Sequence, residues 1–233
     1  MRGVYEGVFE GLNANHMDTK NGHFLDLDAW PRRAQYEFFR GFESPFFNIC
    51  TEIPVGATLD WCREREQSFA LACWFLCQRA VNLIEPFRYR LRDERVWVHD
   101  RVRVATTSLN PDETFRFNHF AHQKTFSSFL AEAKRVLAGT QQDVMDARPE
   151  DDATIYGSTL PWIRFTSVAH ARQGGDGDSV PKIAFGKYGE SATGVSMPVS
   201  VEVHHALMDG LHVARFLEQI EQDFADPSEV LAS

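Results

Sequence analysis

A large mixed β-sheet with helices laid on one face, an α/β (α+β) sandwich, is the architecture that this sequence predicts. Three observations lead to it. Strand-like and helix-like segments follow one another in irregular order, unlike the strict alternation of a doubly wound fold. Val195, Met197, Val199, Val201 and Val203 alternate with Ser196, Pro198, Ser200, Glu202 and His204, which is the period of a half-buried strand. The stretch from about Ser68 to Ile84 is apolar nearly all round, as a helix is when it forms a layer against a sheet.

The elements follow in order. Residues 1–16 are polar and aperiodic and precede Met17; they are expected to be an extension outside the fold, either disordered or not native, so that a single domain spans 17–233. His23 to Asp28 reads as a short strand. Pro31 suits the first turn of a helix running to about Arg40, with Tyr36, Phe39 and Phe42 on one stripe. Phe46 to Val55 reads as a strand, and the apolar helix follows from Ser68. Two or three strands are expected between Phe87 and Phe117, including the alternation Arg101-Val102-Arg103-Val104. Thr125 can cap a helix through about Ala138, and the acidic stretch Asp143 to Asp152 reads as a loop or short helix. Strands are expected near Trp162 to Val168 and Lys182 to Lys187. Gly174 to Asp178 is glycine-rich but runs into Ser179-Val180-Pro181, so it reads as a flexible loop and not a phosphate cradle. After the valine strand, Leu211, Ala214, Phe216, Leu217, Ile220 and Phe224 recur at helical spacing.

Composition narrows the function. A hydrophobic content of 43% with 19 Phe supports one sizeable core, and a net charge of −9 argues against a nucleic-acid or anionic-membrane partner. Cys50, Cys62, Cys73 and Cys77 lack zinc-ribbon spacing. Cys73 and Cys77 lie one helical turn apart on the apolar helix, as buried reduced thiols do. With no apolar run near 18 residues and no export signal, the expected compartment is the cytoplasm.

The junction between the last strand and helix carries the chemistry. His204-His205-Ala206-Leu207-Met208-Asp209-Gly210 places two imidazoles, a carboxylate and a glycine at fixed offsets, a pattern expected by chance on the order of once per thousand sequences. Strand parity puts His205 inward with the valines and His204 outward with Glu202. An inward imidazole at a strand end can serve as a general base, because it changes charge near neutral pH. Two other readings stand beside this one: a hydrogen-bonded core histidine, and a metal site built from His204, His205, Asp209 and His212. Against the metal, adjacent strand residues face opposite ways and no H-E-x-x-H is present, so none is expected. Neither a G-x-S-x-G elbow nor a G-x-G-x-x-G stretch occurs, which leaves direct group transfer as the fitting mechanism.

His204 through Arg215 resembles the H-H-A-x-x-D-G-x-H-V-x-R run of the type A chloramphenicol acetyltransferases. Ser158-Thr159-Leu160-Pro161-Trp162 is similar to that family's S-x-x-P-W, Gly186-Lys187-Tyr188 to its G-K-Y, and Trp30-Pro31-Arg32-Arg33 to its W-x-R-[KR]. In order and spacing the resemblance covers about residues 22 to 226. It implies an acetyl-CoA-dependent O-acetyltransferase whose default acceptor is chloramphenicol, the antibiotic-resistance reaction. His205 would be the base, Ser158 the donor to the oxyanion, and Asp209 with Arg32 an ion pair holding the corner. Trp162, Lys187 and Tyr188 match positions that contact coenzyme A. The resemblance also implies a homotrimer with active sites between subunits, and it keeps the expected sandwich.

Departures cluster around the acceptor pocket. Ala169, His170, Ala171 and Arg172 stand where the family is apolar and aromatic, which predicts a more polar and mobile wall. Ala184 replaces a threonine, Phe39 a tyrosine beside a retained aromatic at Phe38, and Ser108 an aromatic. Alternatives are therefore a different, more polar alcohol as acceptor, or a ligand-sequestering protein without turnover. The acyltransferase cores of 2-oxoacid dehydrogenase complexes share H-H-x-x-x-D-G but carry a lipoyl domain and linker, which are not visible here.

Overall fold

The computed structural model describes residues 21–139, 151–172, 178–192 and 194–232; the predicted extension at 1–16, most of the acidic stretch from Asp143 and the Gly174–Gly177 run lie outside them. The valine strand is β10 (Gly194–His204), and it forms the middle of the architecture. On one side it pairs antiparallel with β2 (Phe46–Pro54). On the other it pairs with β8 (Lys182–Gly186), which continues through β7 (Thr154–Leu160) and β5 (Arg103–Leu109) to β6 (Phe115–Phe120). The β5–β7 and β7–β8 ladders are parallel, so the sheet is mixed, and β9 (Gly189–Ser191) adds a short antiparallel pair on β10.

Helices cover one face. α3 (Phe69–Leu83) starts at Ser68, whose hydroxyl accepts the Leu71 amide, and ends one residue before Ile84, as expected. With α4 (Phe126–Ala138), capped by Thr125, and α5 (Gly210–Ala225), it buries Val199, Val201, Val203, Ile183, Phe185 and Ile155 beneath Trp74, Phe75, Phe129 and Phe216. Burying each large side chain stabilises by about 1.5–3 kcal/mol, so this layer is where the fold holds together. Among the described residues no helix covers the opposite face. One row on it is of small side chains: Cys50, Ser200, Ala184 and Ser158 lie side by side across β2, β10, β8 and β7.

Several expectations need correction. A helix, α2 (Gly56–Glu64), follows β2 and buries Leu59, Trp61 and Cys62; its apolar stripe is too short to stand out by period. Four strands, not two or three, lie between Phe87 and Phe120, because β3 (Tyr89–Arg92) and β4 (Arg95–His99) form a separate three-stranded sheet with β1 (Gly22–Phe24). This sheet shares a second small core with α1 (Arg33–Phe39), in which Tyr36 packs against Tyr89, Val96, Val98, Ala206 and Leu207. The strand expected at Trp162 to Val168 lies earlier, at β7. Beyond Leu160 the chain turns at Pro161 and crosses the helix-free face without ladder pairing. β10 is buried on both faces rather than half-buried: Glu202 and His204 are only 7% and 4% exposed.

Candidate active site

His205 is the first residue past β10, and its backbone amide donates to the Pro45 carbonyl at 2.7 Å. The chain then bends through Ala206 and Leu207, both fully buried in the small core, to Asp209, which caps α5. Arg32, at the start of α1, fastens this bend. Its Nε donates to Asp209 Oδ2 at 3.1 Å, Nη1 to the Ala206 carbonyl at 3.2 Å and Nη2 to the His205 carbonyl at 3.1 Å. A planar guanidinium can satisfy all three in one orientation. His212 completes the cap, its Nδ1 accepting the Asp209 amide at 3.1 Å. Arg32 and Asp209 are therefore joined as expected, and what they hold is the backbone beneath His205.

The His205 ring stacks on Phe39 with centroids 3.9 Å apart and planes 5° from parallel, and it also meets Phe47 at 4.7 Å. Phe47 pairs with Val203 on the helix-covered side, which agrees with the inward parity read from the sequence. Nδ1 is buried with no partner among the described residues, so Nε2 is the nitrogen left with access to solvent. Phe38, 64% exposed, packs edgewise on Phe39 and Phe42 packs on it at a tilt, and together they give the corner an apolar rim.

His204 shares the face of Glu202, as its parity predicts, but is buried there. Its Nδ1 accepts the Ala206 amide at 3.2 Å, and burial, reinforced by the Arg172 charge, pushes its pKa down to about 4. Arg172 is the charged neighbour. It donates from Nε to Glu202 at 2.7 Å and from Nη1 to Asp178 and the Val180 carbonyl at 2.9 Å, and it lies over the Phe46 ring at 3.7 Å. The wall expected to be polar and mobile is thus polar and pinned at Arg172. His170 lies in that wall, near Glu202, Lys182 and Arg172, with burial lowering its pKa and its Nε2 unpartnered among the described residues.

Ser158 is half-buried on the helix-free face, in register with Ala184, which is fully buried and offers a ligand no surface. Ser108 lies on the other face, where its hydroxyl accepts from Asn118 at 2.6 Å, and it does not join Ser158. Trp162 is 62% exposed; Lys187 and Tyr188 are exposed beside it, since the Lys187 amide donates to the Ile163 carbonyl at 2.8 Å and Tyr188 packs edge-on against Phe69. These two aromatics are surface residues and not core.

One chain does not bring the whole set together. Ser158 lies two strands from Ser200, and His205 five residues beyond it, so the two are separated by about 10 Å across the sheet and about 16 Å along it. Trp162, Lys187 and Tyr188 lie farther still, past the end of β8 remote from His205. Among the described residues no three His, Cys, Asp or Glu side chains are grouped to hold a metal ion. The sequence reading also missed Arg164 and Glu52, which join at the Trp162 turn; their separation of 112 residues left no local signal.

Fold and corner together define an acyltransferase of the H-H-x-x-x-D-G kind. A dihydrolipoamide acetyltransferase of Azotobacter vinelandii shares the fold, with a TM-score of 0.62, 15% identity and coverage of 84% of this chain and 88% of that one. A solved chloramphenicol acetyltransferase is more similar, with a TM-score of 0.81 and 27% identity over 87% of this chain and 99% of the other. The chloramphenicol acetyltransferase of Streptomyces acrimycini is 30% identical over 88% of this chain and 94% of its own length, and chloramphenicol acetyltransferase 2 of Escherichia coli 29% identical over 84% and 94%. The chloramphenicol acetyltransferase family model matches residues 20–221, and the chain belongs to that family.

Proposed function

We propose that this chain transfers the acetyl group of acetyl-CoA to a hydroxyl of chloramphenicol, with His205 as general base. Nε2 takes the hydroxyl proton as the oxygen attacks the thioester carbonyl, and Ser158 donates a hydrogen bond to the oxygen that gains the charge. Collapse of the tetrahedral species breaks the carbon–sulfur bond, and the departing thiolate recovers the proton from His205. The observation that carries this reading is the clamped corner: Arg32 holds the His205 carbonyl while Phe39 stacks on its ring, so the imidazole is pre-positioned with one nitrogen accessible.

Trp162, Lys187 and Tyr188 are read as the coenzyme contacts, with aromatic faces for pantetheine or adenine and an ammonium for phosphate. Phe38 and Phe39 are read as acceptor contacts. The wall with His170 lacks aromatic stacking, which costs the nitrophenyl group about 1 kcal/mol for each lost aromatic pair. Because His205 and Ser158 are apart within one chain, the reading requires a second copy to supply the missing partner, and a homotrimer with three shared sites meets that need. The cysteines are free, three of them buried, which fits a reducing compartment, and the cytoplasm is assigned on that ground. No helix among the described residues is long and apolar enough to cross a membrane.

Mixing the protein with acetyl-CoA and following free thiol tests the reaction. Thiol release that depends on chloramphenicol is expected. Release that no concentration of chloramphenicol accelerates would overturn the acceptor assignment.

A further inference from the structure

The segment that presents Trp162 crosses the helix-free face and has no strand pairing to hold it. Its apolar underside is seated: Phe165 is buried, and Gly186 lies so close beneath that a Cβ there would come within 2.9 Å of the Phe165 ring and 3.0 Å of the Ile163 carbonyl. Its polar anchor is Arg164. Nε and Nη2 donate to the two oxygens of Glu52 on β2 at 2.8 and 2.6 Å; Nη2 also reaches Ser196 Oγ on β10 at 2.6 Å, and Nη1 the Glu190 carbonyl on β9 at 3.4 Å. Ser196 in turn donates to Glu52 Oε2 at 2.8 Å. An isolated exposed ion pair contributes little, but this is a planar two-point pairing within a network that joins three strands to one turn. Trp162 and Ile163 project from the other side of that turn into solvent.

We propose that the Arg164–Glu52–Ser196 latch positions the Trp162 turn against Lys187 and Tyr188, and so sets affinity for coenzyme A without taking part in the chemistry. The latch rests on the reading of those three residues as the coenzyme site. Arg164 is a positioning residue here, since it touches neither substrate. Lysine cannot replace it, because a single ammonium cannot span both Glu52 oxygens and Ser196.

The test is steady-state kinetics and coenzyme A titration calorimetry on the wild type, Arg164→Glu, Glu52→Gln, the reciprocal swap Arg164→Glu/Glu52→Arg, Trp162→Ala, and Arg63→Glu as a remote charge control. Arg164→Glu is expected to raise KM for acetyl-CoA about tenfold, with kcat and KM for chloramphenicol within about twofold, the signature of lost ground-state binding. The swap should restore KM to within about threefold of wild type, Glu52→Gln should fall between, and Arg63→Glu should change nothing. Glu52→Gln, the mildest change, carries the test if Arg164→Glu does not fold. A wild-type KM for acetyl-CoA in either latch variant, or a swap that fails to restore it, would overturn the latch while Trp162→Ala still weakens coenzyme A. Wild-type protein that binds no coenzyme A, or Trp162→Ala that binds it normally, would sink the coenzyme site and the latch together.

Discussion

Two neighbouring histidines with the same side chain have opposite environments, and the roles proposed for them follow that difference. His205 presents Nε2 to solvent from a stacked ring, so His205→Ala is expected to lower kcat by about 100-fold or more while coenzyme A binding by calorimetry stays near wild type. Near-normal turnover would remove it as the base. Ser158→Ala should slow kcat with a smaller change in either KM, because an oxyanion donor matters most once charge has developed. His204 instead is buried and neutral. Its pKa is pushed from 6.5 to about 4, so between those values the unfolded chain binds the extra proton: stability is intact above about pH 6.5 and falls as the pH drops toward 4. Burial lowers His99, His170 and His212 in the same direction. His204→Asn, which can keep an acceptor for the Ala206 amide, should therefore flatten the dependence of Tm on pH in this window without abolishing it. An unchanged slope would mean that His204 is protonated when folded.

The turn from β10 into α5 depends on an arginine that belongs to neither. Arg32→Lys would leave at least one of the His205 and Ala206 carbonyls unpaired, at a cost of about 1–3 kcal/mol, and would let the proposed base drift. Denaturant unfolding should show the loss of stability, and kcat should fall with it; a variant as stable and as active as wild type would mean the clamp is ornamental. Under the sheet, Trp74 lies against Gly157 and donates to Thr159 at 3.1 Å, so that a methyl group at 157 would come within 2.3 Å of the indole. Gly157→Ala should destabilise by about 1–3 kcal/mol through overpacking, measured as a lower Tm, and it should disturb the adjacent Ser158 as well. The α3 helix and β10 were readable because α3 is a long run of almost unbroken apolar residues and β10 a long strict alternation. α2 and the true place of β7 were not: α2 offers two turns of mixed residues, and the aromatics after Pro161 imitate a strand that has no ladder to join.

On the proposed reading, assembly decides whether the parts form a site. If His205 of one copy faces Ser158 of another, mixing equal amounts of His205→Ala and Ser158→Ala chains under conditions of subunit exchange should regenerate roughly a quarter of the wild-type sites, each with both residues intact. Activity that stays at the level of the separate variants after verified exchange would confine the site to one chain. The same scheme predicts that dilution to monomers abolishes turnover, which a concentration series with light scattering would check.

The amino-acid order was enough to settle the sandwich and the strand-to-helix corner, which rest on period and spacing along the chain, and its motifs gave the family, through which alone the Arg32–Asp209 pair, 177 residues apart, was expected. It was silent on the separate small sheet, on the burial of His204, on the pinned Arg172 wall and on the Arg164 latch. Each of those depends on residues tens to more than a hundred positions apart, such as Arg172 with Glu202 and Arg164 with Glu52, which meet only after the strands have paired. Distance between His205 and Ser158 belongs to the same class: strand register sets it, and no local pattern records the register.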